Sequence, residues 1–242
     1  MVADLVAAVR AHNPARGEPV GLVLPTGGVG LAWAGGGWQV PSDAAGNAVD
    51  AIRRIDEEFR PRWVLWPGDE ADRLVAAGVR LATCWHLGAA DRMLAGGFRT
   101  DPQRAWSRAH DLATDEAPRS QHDLFSDAGP DDEAVRGDGY LHPSWADGSA
   151  IDRPERAGAW ARLALDVAQR QSVRLRAIGP RSEATARAES TTELLCAELA
   201  ADGLPIDRRG IEELLGSVVG PRTAGAGDAA AQRAARDEAV LR

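Results

Sequence analysis

The sequence predicts an α/β protein: a mixed sheet with flanking helices, continued by an all-helical C-terminal stretch. Three observations carry that expectation. Short apolar runs over residues 19–24, 29–33 and 38–41 are separated by Pro25-Thr26-Gly27-Gly28 and Gly35-Gly36-Gly37, the pattern of an antiparallel meander. Between 42 and 95, apolar residues at helical spacing alternate with short apolar strands. From Arg153 onward the spacing is helical.

Taken in order, residues 4–11 open the chain as a short helix. After the meander, Ser42 or Asp43 is placed to cap a helix whose apolar stripe is Val49, Ile52, Ile55 and Phe59. A strand over 63–66 follows, then a helix over 69–77 ended by Gly78, a strand over 79–85, and a helix over 89–94 stopped by Gly96-Gly97. Residues 102–112 read as another helix. Residues 115–147, rich in Asp, Gly, Pro and Ser, show no period and read as an irregular acidic excursion over the surface. The next helix groups Trp160, Leu163, Ala164 and Val167 on one face and stops at Gly179-Pro180. A second helix spans 183–201, with Leu194, Leu195 and Leu199 on one side, and ends at Gly203. Asp207 can cap a helix over 208–215. A Gly/Pro/Thr linker over 216–228 leads to a helix of alternating Ala and charge, still running at residue 242. Trp33, Trp38, Trp63, Trp66, Trp85 and Trp160 fall where sheet and helix faces would pack. Core filling is expected of them rather than base stacking.

Composition narrows the function classes. The chain has no lysine, so all 28 basic residues are arginine, and the net charge is −8. The acidity sits in residues 101–150, which carry 4 Arg against 11 Asp and Glu. No nucleic-acid face is announced by charge alone. No apolar run reaches the roughly 18 residues of a membrane span. No secretory signal opens the chain, and Cys84 and Cys196 cannot build a disulfide framework, so a cytoplasmic location is expected. Gly27-Gly28-Val29-Gly30 lacks the helix and the Lys-Ser/Thr pair of a phosphate loop. Cys84-Trp85-His86 has no second pair at ligand spacing. The run Asp127, Asp131, Asp132, Glu133 and Asp138 lacks calcium-loop spacing. No Gly-x-Ser-x-Gly nucleophile elbow is present.

One stretch is more specific. Glu189-Ser-Thr-Thr-Glu193-Leu-Leu-Cys-Ala-Glu198-Leu-Ala-Ala-Asp-Gly203-Leu-Pro-Ile-Asp207 resembles the junction that leads into the thumb of family-A DNA polymerases. Gly follows the first Glu by 14 positions and Asp comes four later, as in that family. The order of elements before it resembles the ribonuclease-H-like 3′-5′ exonuclease domain of bacterial DNA polymerase I. Ala90-Asp91-Arg92-Met93-Leu94 is similar to that family's Asp-Thr-Met-Leu. The alanine- and arginine-rich style resembles the actinobacterial bifunctional 3′-5′ exonuclease/DNA polymerase. The resemblance implies an exonuclease-like domain over 1–180 and the start of a helical thumb, cut short, over 181–242. It also implies a role in DNA replication and repair, a primer-template DNA partner, no membrane, and Mg2+ as the cofactor of the parent family.

The family's catalytic residues carry over poorly. Its exonuclease chemistry uses two metal ions held by carboxylates. The first motif, Asp-x-Glu on the first strand, has no match among Asp4, Glu18, Asp43 and Asp50. The second carboxylate falls near Asp69, Glu70 or Asp72. The third motif, Tyr-x-x-x-Asp, aligned on Asp166-Val167, puts Trp160 at the Tyr and Ala164 at the metal-binding Asp. The expectation is a degenerate exonuclease fold with no intact catalytic set, no metal site and no cofactor in this chain. The polymerase palm and fingers would lie after residue 242. Weak DNA contact is expected from Arg174, Arg176, Arg208 and Arg209, in competition with local Glu pairing. Two other readings remain open. One is an active metal-dependent 3′-5′ exonuclease using Asp69, Glu70, Asp91 and Asp166. The other is a non-enzymatic interaction module whose acidic 115–147 loop holds a basic partner.

Overall fold

The computed structural model describes residues 2–25, 28–41, 45–118, 133–147, 154–220 and 225–240. It divides into two compact units, Met1–Asp202 and Gly203–Arg242. The first holds a five-stranded mixed sheet built from β1 (Pro19–Val23), β2 (Gly28–Trp33), β3 (Gly36–Pro41), β4 (Arg62–Leu65) and β5 (Cys84–His86), in the order β3-β2-β1-β4-β5. The predicted meander is present: β1 pairs antiparallel with β2, and β2 with β3. β4 joins β1 in parallel, with Val20 opposite Trp63, and β5 joins β4 in parallel, with Trp63 opposite Cys84.

Strand side chains alternate between two faces. Val20, Leu22, Val29, Leu31, Trp63, Leu65 and Cys84 point one way, toward α1 (Val2–His12) and α2 (Ala45–Phe59), which supply Leu5, Val9, Ile52 and Ile55. Val23, Ala32, Val64, Trp66 and Trp85 point the other way, toward α7 (Pro154–Ile178) and its neighbours. The outcome is an α/β/α sandwich with two apolar layers. Asp56 ties α2 to the sheet: it accepts from the Trp63 indole at 2.7 Å and from the Ala82 amide at 3.0 Å.

α7 lies against the sheet where the strands carry glycine. An added Cβ on Gly21 would stand 2.3 Å from the Ala161 carbonyl oxygen, and one on Gly30 would stand 2.2 Å from the Ala157 carbonyl. Ala157, Ala161, Ala164 and Ala168 form the face of α7 that closes this layer. Trp66 and Trp160 stack there at 4.2 Å, and the Trp66 indole donates to the Trp160 carbonyl.

The strand over residues 79–85 is shorter than expected. α3 (Glu70–Ala76) ends in a left-handed turn with Gly78 at φ +75°. The Gly78 and Val79 amides return to the carbonyls of Val75 and Leu74. That double bond pattern takes the Val79 amide out of the sheet ladder, so pairing begins only at Cys84. The acidic excursion also needs correction. Residues 119–132, with Asp127, Asp131 and Asp132, lie outside the described residues. The segment after them keeps exposed residues such as Arg136 and Asp138 but also enters the core: Val135 bridges to Leu141, Leu141 is buried, and Trp145 of α6 (Pro143–Ala146) is buried against Trp160.

Trp63, Trp66, Trp85 and Trp160 are buried, as core filling requires, and Trp33 is half-buried against His12. The Trp38 side chain lies outside what is described. α8 (Ser182–Asp202) belongs to the sheet unit, so that unit runs on past residue 180. Ser190 accepts from the His86 amide at 3.0 Å through its hydroxyl, and its carbonyl accepts from the Cys84 thiol. The second unit carries α9 (Arg208–Val219), capped by Asp207 through the Arg209 amide, and α10 (Ala226–Val240). No helix among the described residues is long and apolar enough to cross a membrane.

Candidate functional site

In an open α/β sheet, ligands gather at the carboxyl ends of the strands, where the chain order reverses. That point lies between β1 and β4. Leu24 leaves β1 there, and Trp66-Pro67-Gly68-Asp69-Glu70 carries β4 into α3. A cation occupies this crevice. The Arg73 guanidinium, one helical turn beyond Asp69, donates to the Leu24 carbonyl, and its Nε lies 3.4 Å from Asp69. Asp69 is otherwise exposed and makes no capping bond.

Glu70 is the buried carboxylate of this turn. Its Oε2 folds back over Gly68, where an added Cβ would meet it at 3.0 Å. Burial pushes its carboxyl up to about 7, against the partial relief of its own backbone amide and of Arg73. A carboxyl raised in the folded state favours the protonated form, so its contribution is present below the ordinary 4.5 and lost as pH climbs through 7. Between pH 4.5 and 8, the wild type is expected to lose on the order of 2–3 kcal/mol relative to Glu70→Gln. Urea midpoints of both proteins across that range check it. Parallel curves would contradict the burial of an ionising Glu70.

The other candidates do not join Glu70. Asp91, on α4 (Leu87–Ala95), is buried and satisfied by Arg108 at 2.6 Å and Thr100 at 2.8 Å. Asp166, on α7, accepts from His110 at 2.7 Å and from Arg170 at 3.1 Å. His110 itself stacks on Trp106 of α5 (Pro102–Ala109) at 3.7 Å. Trp160 and Ala164 are core residues of α7. β1, Pro-Val-Gly-Leu-Val, carries no carboxylate. Among the described residues, no group of three or more His, Cys, Asp or Glu is placed to hold a metal ion. Cys84 is a buried thiol that burial pushes up to about 12, which removes it as a thiolate nucleophile or metal ligand.

The arginines divide by partner. Arg174 closes the end of α5, donating to the Arg108 and Ala109 carbonyls and to Asp111 at 2.7 Å. Arg176 pairs with Glu183 at 3.2 Å and lines a cavity of about 480 Å³ by the amino ends of β1 and β4, with Arg62 and Trp85. Arg208 and Arg209 are exposed and pair one turn along α9 with Glu212 and Glu213. Surface pairs of this kind contribute about 0.3–0.5 kcal/mol and give way readily to a phosphate.

Arg73, His110 and Arg108 escape sequence reasoning because their partners lie 49, 56 and 17 residues away. Only the Asp69–Arg73 spacing is a local signal. No family model, curated protein or solved structure matches this chain.

Proposed function

We propose that residues 1–202 are a catalytically silent, ribonuclease-H-like exonuclease scaffold, and that residues 203–242 begin the thumb of a family-A DNA polymerase acting in replication or repair. The observation that carries this reading is the crevice between β1 and β4. The family motifs would put metal-binding carboxylates on β1, just after β4 and at Ala164 of α7. At those places this chain has an apolar β1, the buried Glu70 after β4, a guanidinium on the Leu24 carbonyl, and the buried Ala164. The Arg73 guanidinium repels divalent ions, Asp69 is paired with it, and buried Glu70 favours its neutral form, so the crevice is poorly built to gather a metal pair. The strand order, with β2 alone running against the other strands, supports the ribonuclease-H-like assignment. The junction supports the polymerase one: Gly203 takes φ +73° after α8, and Asp207 caps α9. DNA contact in this reading is weak and falls to Arg208 and Arg209, because Arg174 is engaged in closing α5.

A labelled primer-template incubated with the folded chain and magnesium or manganese tests the proposal. No shortening of the 3′ end is expected, and Asp166→Ala is expected to change nothing. Degradation that EDTA stops and Asp166→Ala abolishes would overturn it in favour of an active exonuclease.

A further inference from the structure

A second depression lies beside the blocked crevice, at the carboxyl ends of β4 and β5. It has a volume of about 430 Å³. Gly68 forms part of its wall, and it opens between the beginnings of α4 and α5, since His86 and Asp101 are the capping residues of those helices. Both helices therefore direct the positive ends of their backbone dipoles toward it. That alone would not make a site, and the side chains supply the rest.

His86 is buried and lines the cavity. Its Nδ1 accepts from the Ala89 amide at 3.1 Å, which fixes the tautomer with the proton on Nε2. That N–H has no hydrogen-bond partner among the described residues. Burial keeps the ring toward its neutral form, with Glu193 and Arg92 acting on it in opposite directions. Arg92, Arg99 and Arg104 stand around the same space. Arg92 pairs with Glu193, and Arg104 lies 3.5 Å from Asp101. Arg99 is exposed and has no ion-pair partner among the described residues. The cavity thus holds one uncompensated guanidinium and one idle imidazole N–H.

Phe98 also lines this cavity. It is 98% exposed, more than any other large apolar side chain described. Gly96 and Gly97 precede it with φ of +71° and +85°, a backbone that residues with a Cβ rarely adopt. The chain therefore turns sharply to hold an aromatic ring in water at the mouth of a cation-lined cavity. A single exposed apolar side chain needs no explanation elsewhere on a surface. At this mouth it offers a face for a planar ring to stack on.

We propose that the cavity formed by His86, Arg92, Arg99 and Arg104, with Phe98 at its rim, binds a phosphate monoester carried on a planar base, that is, a nucleoside monophosphate. The phosphate takes Arg99 and the His86 N–H, and the base stacks on Phe98. Asp101 and Glu193 hold Arg104 and Arg92 in place and keep the site selective for a small anion over a polyanion. The proposal does not depend on the polymerase reading.

Calorimetric titration of the full chain with AMP, inorganic phosphate and adenosine tests it. AMP is expected to bind, phosphate about tenfold more weakly, and adenosine not at all. Arg99→Ala is expected to weaken AMP about tenfold or more. Phe98→Ala is expected to bring AMP down to the level of phosphate. Both side chains are exposed, so the variants keep the fold, and near-ultraviolet circular dichroism of the tryptophans verifies that. AMP that fails to bind at about 10 mM, or binds both variants as it binds the wild type, overturns the site. Phosphate binding equal to AMP overturns the nucleoside part. A single-stranded oligonucleotide that binds where AMP does not overturns the small-molecule assignment in favour of a strand.

Discussion

Gly30→Ala is expected to cost at least about 3 kcal/mol, enough to unfold much of the population of a domain whose whole stability is on the order of 5–15 kcal/mol. The added methyl would lie 2.2 Å from the carbonyl carbon and oxygen of Ala157 and 2.7 Å from its Cβ. The first two are backbone atoms of α7 and the Cβ is fixed to that backbone, so no rotamer change can move them. One turn along the same helix, the Ala161 carbonyl stands equally close over Gly21. The two contacts pin α7 to neighbouring strands, so a retreat at one opens the other. The apolar layer holding Trp66, Trp145 and Trp160 would open with it. Gly216→Ala in α9 is the control, since a methyl there meets nothing within 4 Å. It removes backbone freedom from the unfolded chain and is expected to leave stability unchanged or raised by up to about 1 kcal/mol. Urea unfolding of both variants gives the comparison. A Gly30→Ala midpoint equal to wild type would mean that α7 does not rest on the strand backbone.

Much of this architecture is legible in the sequence because its signals are local. Apolar alternation along Val20-Gly21-Leu22-Val23 and glycines at strand ends define the meander without reference to distant residues. Helix stops at Gly78, Gly96 and Gly203 are equally local, since each takes a positive φ. What escapes is whatever depends on distant partners. Leu141 and Trp145 sit in a stretch whose Asp, Gly and Pro content reads as solvent loop, and only Trp160 and its neighbours explain why they are buried. The same limit governs the candidate site. Asp69, Glu70, Asp91 and Asp166 are equivalent carboxylates on paper. Folding gives them separate roles: one exposed, one buried and raised in pKa, one clamped by Arg108, and one held by His110 and Arg170. Sequence selects residue types able to do chemistry, and packing decides whether they meet.

Ala164→Asp carries that point furthest. In the exonuclease reading, Ala164 stands where the third motif has a metal-binding aspartate, so the substitution restores a ligand on paper. The position is fully buried, in the layer that α7 makes with Val64 and Trp66. An ionised carboxylate placed there loses its hydration and meets neighbours that are largely aliphatic and aromatic. The expected cost at pH 7 is about 4 kcal/mol or more, among the largest for single substitutions. Burial would raise the introduced carboxyl above its ordinary value, so the damage should lessen on acidification and deepen as pH rises. Ala164→Ser, polar but uncharged and smaller, should cost less at every pH. No magnesium-dependent nuclease activity is expected from Ala164→Asp, because β1 still offers no carboxylate and Arg73 still occupies the crevice. A folded, wild-type-stable variant that shortens a labelled 3′ end would show that one missing ligand was the whole defect. Destabilisation without activity would mean that position 164 is a core site where a carboxylate finds no partner.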